Sequence, residues 1–62
     1  MRIYVVQVTP KAHPSKVSQE GYTSMQSAKA FIESRRPRPM LIDPYLYRDE
    51  NNTEYLICEV SV

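Results

Sequence analysis

Cysteine occurs once in this chain of 62 residues, at Cys58, so no disulfide can form within it. Histidine also occurs once, at His13, and the two together cannot supply the four ligands of a structural zinc. Tryptophan is absent, Phe31 is the only phenylalanine, and Gly21 is the only glycine, which leaves no glycine-rich phosphate loop. No apolar run exceeds four residues, far fewer than a membrane-spanning helix needs. There is no apolar stretch of the kind that marks a secretory signal, and Met1 leads straight into strand-like residues. A lone thiol and no secretory signal point to a reducing, cytoplasmic setting. The length itself excludes a dinucleotide-binding unit or a two-domain cleft and predicts one domain over residues 1–62.

What remains is a modest core inventory. Val, Ile, Leu, Met and Phe number 17, joined by five Tyr. Ordering each residue costs about 1.5 kcal/mol, and in a chain this small hydrophobic burial only balances that cost. Small domains close the gap with disulfides, a metal or a partner chain. With the first two excluded by composition and no cofactor implied, self-association, as a homodimer, or a protein partner is expected.

Arg2–Thr9 (RIYVVQVT) is β-branched and aromatic and stops at Pro10, which predicts a strand. Residues 10–22 show neither a helical nor a strand period and read as a loop. Thr23 and Gln26 have capping-box spacing. Met25, Ala28, Ile32 and Arg35 follow at helical intervals with Phe31 beside them, predicting an amphipathic helix that ends near Arg36, before Pro37 and Pro39. Residues 40–48 (MLIDPYLYR) predict a second strand, with Pro44 confining its first half to an edge or a bend. Asp49–Asn52 is a polar turn, and residues 54–62 (EYLICEVSV) form the strongest strand pattern. The predicted fold class is α+β: a small β-α-β-β domain with a three-stranded antiparallel sheet, order 1-3-2, and one helix on one face. The proline-free third strand takes the centre.

Alternation assigns the faces. The third strand offers Leu56, Cys58, Val60 and Val62 as the better core set, matched by Ile42 and Leu46 and by Tyr4, Val6 and Val8. The opposite face then carries Ile3, Val5, Tyr45, Tyr47, Tyr55 and Ile57, with Gln7 and Glu59. A contiguous apolar and aromatic face of this kind predicts an interface. Tyr and Ile are also ordinary strand formers, and the loop over residues 10–22 could fold across that face.

The net charge of +1 conceals an asymmetry. Residues 1–38 hold seven Lys/Arg against two acids, and residues 39–62 one Arg against five. Arg35, Arg36 and Arg38, placed near Arg2 by the predicted topology, are candidate anion-binding residues. Arginines after a helix also simply suit its dipole.

Catalysis finds few parts. His13 lies in a proline-flanked loop and Cys58 in a strand interior, where a cysteine is usually a small hydrophobe. The acids around the hairpin have no fixed pair spacing, so no enzyme is expected. The alternative is a single-stranded nucleic-acid binder: Tyr45, Tyr47 and Tyr55 would stack bases, while Arg48 and the arginine cluster would hold phosphates. Near-neutral charge and the acids on the same hairpin count against it. Arg36-Pro37-Arg38-Pro39 lacks the spacing of a polyproline ligand. In size and style the chain resembles compact phage and mobile-element accessory proteins, which implies a module that binds and redirects one host macromolecule.

Overall fold

The computed structural model describes residues 1–62. The elements are β1 (Arg2–Thr9), β2 (Ser18–Tyr22), α1 (Met25–Glu33), β3 (Met40–Asp43), β4 (Leu46–Arg48) and β5 (Glu54–Ser61). They form one five-stranded antiparallel sheet in the order β2-β1-β5-β4-β3. This overturns the three-stranded expectation. Two strands were hidden in the sequence, for different reasons.

Ser18–Tyr22 (SQEGY) was expected to be loop. It forms β2 by pairing along β1, from Tyr4 opposite Tyr22 to Val8 opposite Ser18. An edge strand exposed over most of its length has no buried face to impose alternation, so its side chains show no period. Residues 40–48 were expected to be one strand. They form two, turned back at Pro44-Tyr45. Asp43-Pro44 suits the opening of a β-turn, where proline's fixed φ belongs at the second position. The register slips between Leu41 and Asp43, and the Tyr45 carbonyl accepts the Ile57 amide at 2.8 Å.

The helix is shorter than expected and begins one residue later. Ser24, not Thr23, is the N-cap: its Oγ accepts the Ser27 amide at 3.1 Å and donates to Ser27 Oγ at 2.9 Å. The helix ends at Glu33, with Ser34 as C-cap donating its hydroxyl to the Phe31 carbonyl at 2.7 Å. It is not long and apolar enough to cross a membrane.

α1 covers one face. Val6, Ala28 and Ile32 are fully buried there, with Tyr47, Tyr55 and Ile57 beside them. Tyr4, Val8, Tyr22, Met25 and Phe31 close the margin, and the Tyr22 and Phe31 rings stack tilted at 5.7 Å. Val6 faces Ile57 across the β1–β5 ladder and Val8 faces Tyr55. The helix-facing set of β5 is therefore Tyr55 and Ile57, and the expected core set of Leu56, Cys58, Val60 and Val62 is not.

Two outcomes follow from this packing. Ile57→Ala should cost about 2–5 kcal/mol and Tyr55→Ala about 3–5, enough to unfold most of a domain this small. Val60→Ala should stay within about 0.5 kcal/mol; urea midpoints distinguish the sets, and equal losses would reverse the face assignment. At the helix start, Ser24→Ala should remove about 1 kcal/mol while Thr23→Ala changes stability little, read by the same titration.

Candidate functional site

The sheet face away from α1 has no element packed across it. The register places its residues in rows. Ile3 lies opposite Val60, Val5 opposite Cys58, Gln7 opposite Leu56, and Leu56 in turn opposite Leu46. Six apolar side chains on three adjacent strands thus form one stripe: Ile3, Val5, Leu46, Leu56, Cys58 and Val60. Leu56 and Val60 are 39% and 38% exposed, and the other four are half-buried. Gly21 flanks Val5, and no atom lies within 4 Å of where a Cβ there would project, so this margin is open.

A polar row crosses the end of the stripe where β1 finishes and β5 begins. Thr9 pairs with Glu54, Glu54 with Arg48, and Arg48 with Met40. Arg48 Nη2 donates to Glu54 Oε2 at 2.6 Å, so this end carries balanced charge. The turn below it is held by Asp49. That carboxylate is buried, and its Oδ1 accepts the Asn51 and Thr53 amides, each at 2.9 Å. Asn52 takes the left-handed φ of 62°, which asparagine tolerates.

The expected interface residues divide between the two faces. Ile3 and Val5 lie on the uncovered face. Tyr45 sits in the β3–β4 turn and is exposed. Tyr47, Tyr55 and Ile57 lie beneath α1, exposed by only 6%, 3% and 4%. Leu46, Leu56, Cys58 and Val60 take their places on the open side. The loop over residues 10–22, which could have folded across this face, instead ends as β2 (Ser18–Tyr22) along the edge of β1.

The arginine group is also divided. β2 returns the chain to the start of β1 before the helix begins, because Tyr22 lies beside Tyr4. α1 therefore runs toward the opposite end from the one expected. Arg35, Arg36 and Arg38 follow it there and do not join Arg2. Arg38 instead borders a shallow depression with Met40, Arg48, Asp49 and Glu50. Arg2 Nη1 meets Glu59 Oε1 at 3.0 Å at the far end of the sheet. Arg35 stacks on the Phe31 ring at 5.6 Å, and Arg36 Nη1 donates to the Glu33 and Arg35 carbonyls at 3.4 and 3.1 Å. These contacts tie three of the four arginines to the chain's own surface.

β3 is the other apolar feature. Met40, Leu41 and Ile42 are 72%, 60% and 49% exposed on an unpaired edge. β2, at the other edge, carries Gln19, Glu20 and Gly21, polar and permissive residues that discourage edge pairing.

Compared with protein-family models, curated proteins and solved structures, the chain finds no match in any of the three.

Two phenols titrate abnormally. Burial raises Tyr47 above its ordinary 10.0, and the Glu33 charge adds to this. Tyr22 is raised by desolvation, then by the Glu20 charge and a hydrogen bond to that carboxylate. Both phenols stay neutral in the folded chain at a pH where the unfolded chain ionises them. The folded state then holds more protons, so stability falls as pH climbs above 10.0. Alkaline unfolding followed by circular dichroism should begin there, and Tyr47→Phe should flatten the decline; an unchanged profile would contradict it.

Proposed function

We propose that this chain is a small non-enzymatic interaction module whose working surface is the uncovered sheet face. The observation that carries this reading is the stripe of Ile3, Val5, Leu46, Leu56, Cys58 and Val60 on β1, β5 and β4. An antiparallel sheet with one solvated face ordinarily presents alternating polar residues on that side. Here the polar positions are Gln7, with Gln19 and Asp43 in register at the two edges, and the end row, while the centre is apolar. Such a patch, rimmed by polar residues, suits contact with another macromolecular surface, whether a second copy or a different protein. Only eight of 62 residues are buried, so the domain gains from covering that face. The lone thiol of Cys58 suits a reducing compartment such as the cytoplasm.

The single-stranded nucleic-acid reading loses support. Two of its three stacking tyrosines, Tyr47 and Tyr55, lie under α1. Arg48 is engaged by Glu54 on the same face.

Val5→Lys and Leu56→Lys should each leave the chain folded, shifting stability by about 0.5–1 kcal/mol. Both should sharply reduce binding of an apolar-surface dye and abolish association with whatever surface the native chain engages. Retained association by both folded variants would sink the reading. A salt titration with labelled oligonucleotides should show no specific binding; an affinity falling steeply with salt would favour the alternative.

A further inference from the structure

We infer that the C-terminal half of β5 accepts an extended peptide from a partner protein, added at its free edge as an antiparallel strand in line with β4. The inference goes beyond the face reading above: it rests on backbone groups and stands or falls separately.

In an antiparallel sheet the amide and carbonyl of one residue point to one side of the strand, and those of the next residue to the other. Two bonds fix this alternation for β5. The Ile57 amide donates to Tyr45, on the β4 side, and the Val62 amide donates to Met1, on the β1 side. Odd-numbered residues of β5 therefore face β4 and even-numbered ones face β1. β4 pairs only with Glu54, Tyr55 and Leu56, and the chain turns away at Pro44-Tyr45. Glu59 and Ser61 lie beyond that turn, so their amides and carbonyls point to a side where no strand runs. Residues 59–62 are exposed.

Neither outer edge of the sheet offers as much. Tyr47 pairs with Tyr55 and spends its amide and carbonyl on β5, which turns those of Arg48 to Met40 and leaves Leu41 facing outward on β3. Pro39, the next outward position, has no N–H, and the register shift after Leu41 breaks the run. β2 presents polar Gln19 and Glu20 and the bare Gly21. The β5 stretch has no proline, lysine or bulge, and Val60 and Val62, 38% and 74% exposed, flank its free groups.

Unpaired amides and carbonyls in extended register are complementary to one kind of ligand, another extended backbone. The side chains beside them specify its sequence. An antiparallel strand running from opposite Val62 to opposite Glu59 places its first and third residues on the uncovered face, beside Val62 and Val60, where apolar groups continue the stripe past β5. Its fourth residue lies opposite Glu59, the one charged side chain among residues 58–62, which stays 41% exposed although Arg2 meets it from β1. A lysine or arginine there is the matching charge. The occupant is thus apolar, polar, apolar, basic, and its second and fourth residues bond Ser61 and Glu59.

The probe is the capped peptide Ser-Val-Thr-Val-Lys-Ser, titrated to millimolar concentration into the intact chain and followed by amide NMR. Shifts centred on the Glu59 and Ser61 amides are expected, with their solvent exchange slowed. The same peptide N-methylated at its threonine and lysine keeps every side chain but loses the amides, and should bind at least about tenfold more weakly. Ser61→Pro should lose binding similarly while urea unfolding shows it folded, because proline is tolerated where the N–H faces outward; Ser61→Ala, which keeps the amide, should bind normally. Glu59→Lys should prefer the peptide with glutamate in place of lysine. No shift at Glu59 and Ser61, equal binding of the N-methylated peptide, undiminished binding by Ser61→Pro, or indifference of Glu59→Lys to the swapped charge each overturns the inference. Shifts at those two amides on concentrating the chain alone would give the edge to a second copy and overturn the peptide. Leu56→Lys, distant from this edge, should bind the peptide like the native chain, so failure of the face reading and failure of this one are told apart.

Discussion

The pairing of β1 with β5 is the constraint on which the rest of this structure depends. Eight consecutive residue pairs join them, from Arg2 opposite Ser61 to Thr9 opposite Glu54. The terminal residues extend the ladder: the Val62 amide donates to the Met1 carbonyl at 2.7 Å, and the Met1 amine to the Val62 carbonyl at 2.9 Å. Side chains alternate with a period of two, so a slip of one residue would exchange the faces of β5 entirely. In the observed register Val6 stands beside Ile57 and Val8 beside Tyr55. Once Val6 is chosen for the helix side, Ile57 and Tyr55 must follow. Tyr47 joins them through its pairing with Tyr55.

That register also creates the open stripe. A helix of nine residues is about 13.5 Å long and can shield only part of one face. It takes the aromatic side, where two tyrosines fill more volume than leucine and valine would, and no buried side-chain oxygen or nitrogen lacks a partner. The displaced set, Leu56, Cys58 and Val60, is the more apolar and is left facing outward. The small core and the spare face thus share one cause. Both sides of the central strands are hydrophobic, and the chain contains one short helix to cover them.

Legibility in the sequence varied with how much local pattern each element carried. β1 and β5 are β-branched and aromatic and could be read directly. The helix is visible from Met25, Ala28 and Ile32, but its cap is not, because the choice between the adjacent hydroxyls of Thr23 and Ser24 depends on which residue adopts the extended cap geometry, here Ser24. β2 carried no signal, since Ser-Gln-Glu-Gly-Tyr on an exposed edge buries little and need not alternate. Pro44 reads as a disturbance within one strand, whereas Asp43-Pro44 is the turn signal that divides β3 from β4. β2 acts at a distance: one additional strand reverses the direction of the helix. Arg35, Arg36 and Arg38 are thereby carried to the end of the sheet opposite Arg2.

Composition and local pattern settle that the chain is small, mixes strands with one helix, lacks internal cross-links and has more strand hydrophobicity than a single helix can cover. Those are properties of residue identity and spacing. Which of the two apolar faces of β5 turns inward was decided only in three dimensions. Leu-Cys-Val on one side is the more hydropathic set and Tyr-Ile on the other the less, so alternation alone selects the face that the structure leaves outward. The cross-strand partners decide otherwise: Val6 and Val8 draw Ile57 and Tyr55 under the helix. The candidate surface is what that choice leaves exposed.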